Sequence, residues 1–254
     1  MCGRFAVTAD PALLAARLDA IDETVPPAEG TWQPNYNVAP TTPISTLVSR
    51  HPRERDAAPA TRRLRTMRWG LLTPATAAAP DGSPATGGPL LINARAETVT
   101  SSPAFRAAAG RKRCLVPMDG WYEWRGPKGD KTPFYLYATD GQPLLMAGLW
   151  SVWHPPGSVA GEKSPPILSA TIITTDAVGP LAEIHDRMPL SIGAVDVDRW
   201  LDPDAPADVG LLRGHGDLDR IAIREVSTLV NNARNNGPEL IAPVEPKPEQ
   251  AELF

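Results

Sequence analysis

Cysteine is scarce in this sequence, which has only Cys2 and Cys114 among its 254 residues. Neither belongs to a closely spaced Cys or His pair of the kind that binds zinc, so no metal site is predicted. The N-terminus also lacks the basic and apolar segments of a secretory signal peptide. We therefore expect two reduced thiols and a cytoplasmic protein.

Long apolar runs, nucleotide-binding motifs and a positive net charge are missing as well. Without a long uncharged apolar run, no segment is expected to span a membrane. The sequence has no P-loop, GxGxxG or GxSxG motif, and we expect no cofactor. The net charge of −4 excludes a globally basic nucleic-acid-binding protein but leaves room for a local basic patch.

Proline is abundant, with 29 residues, and this favours short strands and irregular connections over long helices. Helices are predicted after Asp10 and Pro11, in SSPAFRAAA with a serine N-cap, and around DVDRWL. Strands are predicted where β-branched and aromatic residues lie between turn residues, namely in CGRFAV, ISTLVSR, MRWGLL, RCLVPMDGWYEWR, TPFYLYAT, PLLMAGLW, SATIITT and IREVSTLV.

The predicted strands are scattered along the whole chain, which indicates one α+β domain built on antiparallel sheet. This domain is expected to cover residues 1–254. A loop rich in Pro and Gly is predicted at about 73–90, and a flexible tail at about 243–254.

Cys2 directly follows Met1 in the opening segment MCGRF. A small second residue favours removal of the methionine, which would leave an α-amine and a thiol on one residue. The commonest role of a free cysteine is that of a small buried hydrophobe. A terminal cysteine can instead be a nucleophile with its amine as base, or an amine that condenses with an aldehyde before the thiol closes a thiazolidine ring.

Glu123 and His185 are the candidates for proton transfer. Glu123 lies among aromatic residues in GWYEW, where strand alternation places it on the same face as Trp121 and burial would raise its pKa. The alternative is a glutamate that faces solvent. His185 in EIHDRMP is either a proton-transfer group or a structural histidine.

Polar and basic residues indicate two further features. Asn93, Arg95 and Glu97 alternate in INARAET, which makes them either a solvated face or one wall of a polar site. Arginines also surround Trp69 in RRLRTMRWG. Such a mixture is usually a solvated face, but it also suits a groove for single-stranded nucleic acid.

Ten blocks, in this order, resemble the SOS response-associated peptidase (SRAP) family of abasic-site processing proteins. They are MCGRF, PNYNVAPT, RWGL, LINARAET, PAFRAA, RCLVPMDGWYEW, MAGLW, IITTDA, IHDRMP and VSTLVNNARNN. Each block alone is weak, whereas the ordered set is specific and covers nearly the whole chain. The resemblance implies a compact α+β domain with a central, mostly antiparallel, barrel-like sheet and short flanking helices.

The resemblance also implies roles for individual residues. Cys2, Asn93, Glu123 and His185 match the catalytic positions of the family. Contacts with DNA are expected from Arg4, Arg95 and Arg187, with Trp69 near the bases. The segment TPATAAAPDGSPATGGP departs from the family pattern after RWGL, which leaves no basis for a DNA contact there.

The activity implied by the resemblance is covalent capture of an abasic site in single-stranded DNA during the DNA damage response. After removal of Met1, which the protein itself could catalyse, Cys2 would form a thiazolidine with the ring-opened sugar. Weak lyase activity is also expected, since an imine intermediate permits β-elimination. The expected protein is a monomer, associated with the nucleoid when bound to DNA. The rival hypothesis is an N-terminal-nucleophile cysteine peptidase that acts on external peptides.

Overall fold

The computed structural model describes residues 2–26, 31–52, 58–127, 129–155, 165–216 and 218–244. Helices are short in these ranges: α1 (Pro11–Arg17), α2 (Arg106–Arg111), α3 (Val197–Leu201) and α4 (Val209–Leu212). The strands are β1 (Phe5–Val7), β2 (Ile21–Glu23), β3 (Asn35–Val38), β4 (Pro43–Arg50), β5 (Thr61–Trp69), β6 (Asn93–Arg95), β7 (Arg113–Met118), β8 (Gly120–Arg125), β9 (Thr132–Ala138), β10 (Leu144–Trp153), β11 (Ile167–Asp176), β12 (Arg187–Pro189) and β13 (Ile221–Glu225).

The strands form two sheets with mostly antiparallel pairing. The first has five strands in the order β13-β9-β8-β1-β3. The second has eight strands, in the order β12-β11-β10-β7-β4-β5-β2, and β6 pairs in parallel with β11. The predicted single α+β domain is confirmed. The expectation of a barrel is corrected, because the two sheets within the described ranges do not join into one closed barrel.

The chain passes from one sheet to the other between β7 and β8, and this passage explains why two sheets form. Only Asp119 separates the two strands. Gly120 then lies so close to β9 that a Cβ there would be 2.4 Å from the carbonyl oxygen of Leu136. A residue with a side chain would push the strands apart, so the glycine permits the change of sheet.

Two apolar clusters cover opposite faces of the larger sheet. The outer core packs α1, α2 and α3 against residues such as Leu47, Leu115 and Ile173. The inner core lies between the sheets and contains Cys2 together with Phe5, Trp69, Val116, Trp121 and Ile172. The N-terminus is therefore held in the protein interior by its own strand.

Several local predictions are confirmed, and one helix start is wrong. The Asp10 side chain caps α1 by accepting a hydrogen bond from the Ala12 N–H at 2.8 Å. The serine-capped helix in SSPAFRAAA begins only at Arg106. The Ser102 carbonyl accepts from the N–H groups of Phe105 and Arg106, so a turn precedes the helix there.

Two polar segments that had no predicted strand are extended in the structure. Residues 22–43 contain β3 and the end of β2, and the arginine-rich stretch before MRWGLL is part of β5. The region 73–90 contains turns and an isolated bridge between Ala78 and Pro84. Of the predicted C-terminal tail, residues 245–254 lie outside the described ranges, while Pro243 pairs with Val226. Among the residues that the structure describes, no helix has the length and apolar character needed to cross a membrane.

Candidate active site at the N-terminus

The pairing of β1 with β8 determines where the N-terminus lies. Phe5 is opposite Trp121 in this antiparallel pair, and the Tyr122 N–H donates to the Arg4 carbonyl at 3.0 Å. Continuation of this register places Gly3 opposite Glu123. Cys2 therefore adjoins the acidic residue of GWYEW, and it is fully buried in the inner core.

Asn93 reaches Cys2 from the larger sheet. It starts β6, where it pairs in parallel with Ile172 of β11. Its Nδ2 donates a hydrogen bond to the Cys2 carbonyl oxygen at 2.9 Å. Its Oδ1 is also buried, and it accepts no hydrogen bond from the residues that the structure describes. A buried acceptor next to the first residues suits an additional N–H donor.

Glu123 is a buried carboxyl group at the junction of the two sheets. Only 3% of its surface is exposed. Trp121 belongs to the inner core, and Tyr122 to a separate cluster on the opposite face of β8, as the strand alternation predicted. Burial raises the pKa of Glu123 from its ordinary value of 4.5 to about 7. The group can therefore both donate and accept a proton near neutral pH.

His185 is half-buried in the connection that leads into β12. Its Nδ1 lies 3.0 Å from the Arg187 N–H and 2.7 Å from Asp186 Oδ1. One protonation state cannot satisfy both contacts, since Nδ1 must accept in the first and donate in the second. Burial lowers the pKa of His185, which favours the neutral ring. In that form Nδ1 accepts from Arg187 and Nε2 carries the proton.

A cavity of about 580 Å³ joins these groups to the surface. Glu123 and His185 both line it, together with Trp124, Gly129, Asp130, Lys131, Thr228 and Asn231. Cys2 does not line this cavity but lies beside Glu123, close enough for the carboxylate charge to act on its thiol. The structure thus brings together all four residues that the resemblance assigned to catalysis.

The Cys2 thiol is strongly biased towards its protonated form. Burial raises its pKa, and the negative charge of Glu123 raises it further. The thiolate is the nucleophilic form of cysteine. The sulfur therefore needs a base at the moment of reaction, and Glu123 is the nearest carboxylate that the electrostatics identify.

The predicted DNA contacts differ in their availability. Arg95 is exposed and makes no hydrogen bond or ion pair with another described residue. The Arg4 guanidinium already makes hydrogen bonds within the protein, because its Nη1 donates to Asn37 Oδ1 at 2.7 Å and to the Val230 carbonyl at 3.1 Å. Arg95 is thus the more accessible of these two predicted contacts.

Trp69 and Arg187 are placed differently from what the resemblance implied. Trp69 is fully buried, packs against the ring of Phe5 at 5.0 Å, and donates from Nε1 to the Ile92 carbonyl. In this position its ring supports β1 below Cys2, and a contact with a base stays a prediction. The Arg187 guanidinium is buried and pairs with Glu97 and Asp176. Its side chain is thus engaged with two carboxylates, and a phosphate contact from Arg187 stays a prediction.

Sequence reasoning missed three polar residues that shape the site. Asn37 is 3% exposed and donates to the carbonyls of Asn232 and Asn235, both at 3.0 Å. Lys131 and Asn231 line the cavity. For Asn231 the repeated asparagines of VNNARNN were the available indication, since several amides close together offer both donors and acceptors. In the described part of the chain, no group of three or more His, Cys, Asp and Glu residues could hold a metal ion.

Comparison with known proteins identifies a matching family and several relatives of this chain. Residues 1–233 match the family model described as SOS response associated peptidase (SRAP). The chain is 35% identical over 246 residues to a protein of Bacillus subtilis (strain 168) named abasic site processing protein YoqW, and this match covers 95% of the chain and 99% of the relative. It is 36% identical over 233 residues to abasic site processing protein HMCES of Xenopus tropicalis, which covers 84% of the chain and 67% of that protein.

Solved structures agree with the fold. A crystal structure of a protein from Bacteroides thetaiotaomicron has a TM-score of 0.75 at 21% identity, and covers 96% of this chain and 100% of its own. A phage-related protein from Bordetella bronchiseptica has a TM-score of 0.60 at 30% identity, and covers 89% of this chain and 94% of its own. The family match, the relatives and the shared fold together establish that this chain belongs to the SOS response associated peptidase family.

Proposed function

We propose that this protein processes abasic sites in single-stranded DNA by forming a thiazolidine crosslink between its mature N-terminal Cys2 and the ring-opened sugar. The convergence of Cys2, Asn93, Glu123 and His185 carries the proposal. Formation of a thiazolidine from an aldehyde requires an amine, a thiol and proton carriers held together. The names of the relatives, abasic site processing proteins, support this lesion as the substrate.

The reaction begins when removal of Met1, by an aminopeptidase or by the protein itself, leaves the amine of Cys2 as the new terminus. An α-amine has an ordinary pKa of about 7.7–8.0, so a useful fraction is neutral at physiological pH. The buried Oδ1 of Asn93 can accept one of its hydrogens. His185, with a proton on Nε2, can protonate the ring oxygen of the closed sugar and thereby favour the open aldehyde.

Imine formation comes first in the proposed sequence. The amine nitrogen forms a bond to the aldehyde carbon, and a proton moves from nitrogen to oxygen to give a carbinolamine. Glu123 then protonates the hydroxyl group, which leaves as water, and the carbon–nitrogen double bond forms. A carboxyl group with a pKa of about 7 is suited to this step because it is protonated in part of the molecules at neutral pH.

Ring closure completes the crosslink. The ionised Glu123 removes the proton from the Cys2 thiol, the sulfur bonds to the carbon of the iminium, and the electron pair of the double bond returns to the nitrogen, which keeps its hydrogen. The net reaction combines an aldehyde with an aminothiol and releases one water, so no oxidant or reductant is needed. Because the thiol is held in its protonated form, the amine reacts before the sulfur. The imine stage also permits β-elimination, which accounts for the expected weak lyase activity.

The proposed role in the DNA damage response is to shield the lesion from strand cleavage. Arg95 is the proposed contact with the DNA backbone at this site, since it is exposed at the end of β6, two residues after Asn93. The protein would act in the cytoplasm and be associated with the nucleoid when bound to DNA.

The test uses purified protein, with loss of Met1 verified by mass spectrometry, and a single-stranded oligonucleotide that contains one abasic site. We expect an adduct that survives a denaturing gel. Cys2→Ala and Cys2→Ser retain the terminal amine without the sulfur, and should give an adduct only when borohydride traps the imine. An undamaged oligonucleotide of the same sequence is the matched DNA control.

Two results would count against the proposal. One is the absence of a stable adduct from mature protein, and the other is an equally stable adduct from Cys2→Ala. Cleavage of external peptides by mature protein that forms no adduct with DNA would instead favour the cysteine peptidase hypothesis.

A further inference from the structure

The segment after Ser227 forms one rim of the cavity and takes no part in the chemistry described above. It consists of the 3₁₀ turn Thr228–Asn231 and the residues that follow to Asn236. Thr228 and Asn231 line the cavity. Asn231, Asn232 and Arg234 are all exposed, so polar side chains continue along the surface from Asn231, which lines the cavity.

Hydrogen bonds within the protein determine which way the two exposed amides point. Asn231 Oδ1 accepts from the Trp124 indole Nε1 at 2.7 Å, and Asn232 Oδ1 accepts from the Arg234 N–H at 3.1 Å. An indole N–H and a backbone N–H can only donate, so the atom that faces each of them must be the amide oxygen. Each asparagine therefore has its NH₂ group left for another partner.

The side-chain nitrogens of these three residues are the groups on this rim that can bind an acceptor from outside. Neither NH₂ group makes a hydrogen bond with another described residue, and the Arg234 guanidinium makes no hydrogen bond or ion pair there either. A guanidinium offers five N–H donors and no acceptor. The three side chains together present donors and one positive charge, while both amide oxygens accept hydrogen bonds from within the protein.

The backbone below these side chains is firmly held. Buried Asn37 donates from Nδ2 to the carbonyls of Asn232 and Asn235, each at 3.0 Å. Its Oδ1 accepts from Arg4 Nη1 at 2.7 Å, which links the rim to a residue two positions from Cys2. A surface arranged in advance loses less entropy when it binds a ligand.

We propose that Asn231, Asn232 and Arg234 form a donor surface for the phosphodiester backbone of the DNA strand next to the lesion. Phosphate oxygens only accept hydrogen bonds, and guanidinium groups bind them in a bidentate manner. Asn231 and Arg234 are three residues apart, so their backbones are at most about 11 Å from each other. This proposal rests on the proposed function, because the lesion must enter the cavity for its neighbours to lie along this rim.

Isosteric variants test the donor surface. Asn231→Asp and Asn232→Asp retain the oxygen that accepts the internal hydrogen bond and replace the outward NH₂ by a charged oxygen. Arg234→Ala removes the positive charge. Arg17→Ala is the matched control, since Arg17 is exposed on α1, which packs against the outer core. Thermal unfolding verifies that each variant is folded.

The first measurement is the affinity for undamaged single-stranded DNA between about 50 and 200 mM salt. Arg234→Ala should bind more weakly than Arg17→Ala, and the slope of log K against log salt should become shallower by about 0.7, the value for one phosphate contact to a single strand. Both aspartate variants should weaken binding, because their carboxylates repel phosphate. An affinity and a slope for Arg234→Ala equal to those of Arg17→Ala would overturn the proposal.

A second measurement separates this proposal from the proposed function. Wild-type protein and Arg234→Ala are each reacted with free 2-deoxyribose and with the abasic oligonucleotide, and the adducts are quantified by mass spectrometry. The ratio of the DNA rate to the free-sugar rate should fall in Arg234→Ala. An unchanged ratio, with wild type reacting normally, refutes the donor surface alone. Failure of wild type to react with either aldehyde refutes the proposed function.

Discussion

Replacement of Glu123 by glutamine should make the protein more stable at high pH and leave its stability nearly unchanged at low pH. Glu123 is 3% exposed, and burial raises its pKa from 4.5 to about 7. Its native state therefore binds a proton more tightly than the unfolded state. The contribution of Glu123 to the stability of the wild type should be fully present below about pH 4.5, fall between pH 4.5 and pH 7, and level off above that range.

The size of this loss follows from the two pKa values. At about 1.4 kcal/mol per pKa unit, the difference corresponds to a loss of about 3 kcal/mol when the buried carboxyl group ionises. Glutamine has the same shape and stays neutral. The free energy of unfolding of Glu123→Gln should thus exceed that of wild type by up to about 3 kcal/mol at pH 8.

Urea unfolding at pH 4.5, 6 and 8 measures this difference directly. Glu225→Gln is the matched control, because Glu225 is an exposed glutamate in the same sheet. A difference between Glu123→Gln and wild type that does not change with pH would refute the assignment of Glu123 as a destabilised buried acid. The proton-transfer role proposed for Glu123 would then lose its physical basis.

Two further substitutions test the residues that support the site. Asn37→Ala removes the hydrogen bonds to Arg4, Asn232 and Asn235 and should lower the free energy of unfolding by about 3 kcal/mol, measured by urea titration. A loss below about 1 kcal/mol would mean that water replaces these bonds without cost. Trp69→Phe removes the donor to the Ile92 carbonyl and should lower the free energy of unfolding by about 2 kcal/mol. Its affinity for single-stranded DNA should not change, because Trp69 is buried. A weaker affinity would indicate that Trp69 does contact DNA.

The predictable part of the fold is the part that is determined locally. RCLVPM, TPFYLYA and LLMAGLW became β7, β9 and β10, because their apolar and β-branched residues are buried on both faces or alternate cleanly. The polar strand β3 could not be predicted from its local sequence. It pairs with β1, and Asn37 bonds to carbonyls about 200 positions away in the chain; such partners cannot be identified from local sequence.

In the site, too, features set by local sequence were predictable and features set by distant partners were not. Alternation in GWYEW correctly placed Glu123 and Trp121 together, since a period of two is a local property. The burial of Arg187 could not be foreseen, because it depends on Glu97 and Asp176 lying on two neighbouring elements. Its backbone N–H, not its side chain, is what reaches His185. Sequence resemblance thus identifies a position, whereas the contact made there depends on the packing around it.

The direction of two pKa shifts bears on which chemistry this terminus performs. A cysteine peptidase of the papain type requires a thiolate stabilised by a protonated histidine, and so a low cysteine pKa. Here burial raises the pKa of Cys2 and lowers that of His185, so both groups are neutral before any reaction. An uncharged thiol is a poor attacking group for a peptide bond but does not hinder a neutral amine that attacks an aldehyde. Once the imine has formed, Glu123 can take the thiol proton in an intramolecular ring closure, where proximity compensates for the high pKa. The electrostatics of the site therefore favour aldehyde capture over peptide hydrolysis by a thiolate–imidazolium pair.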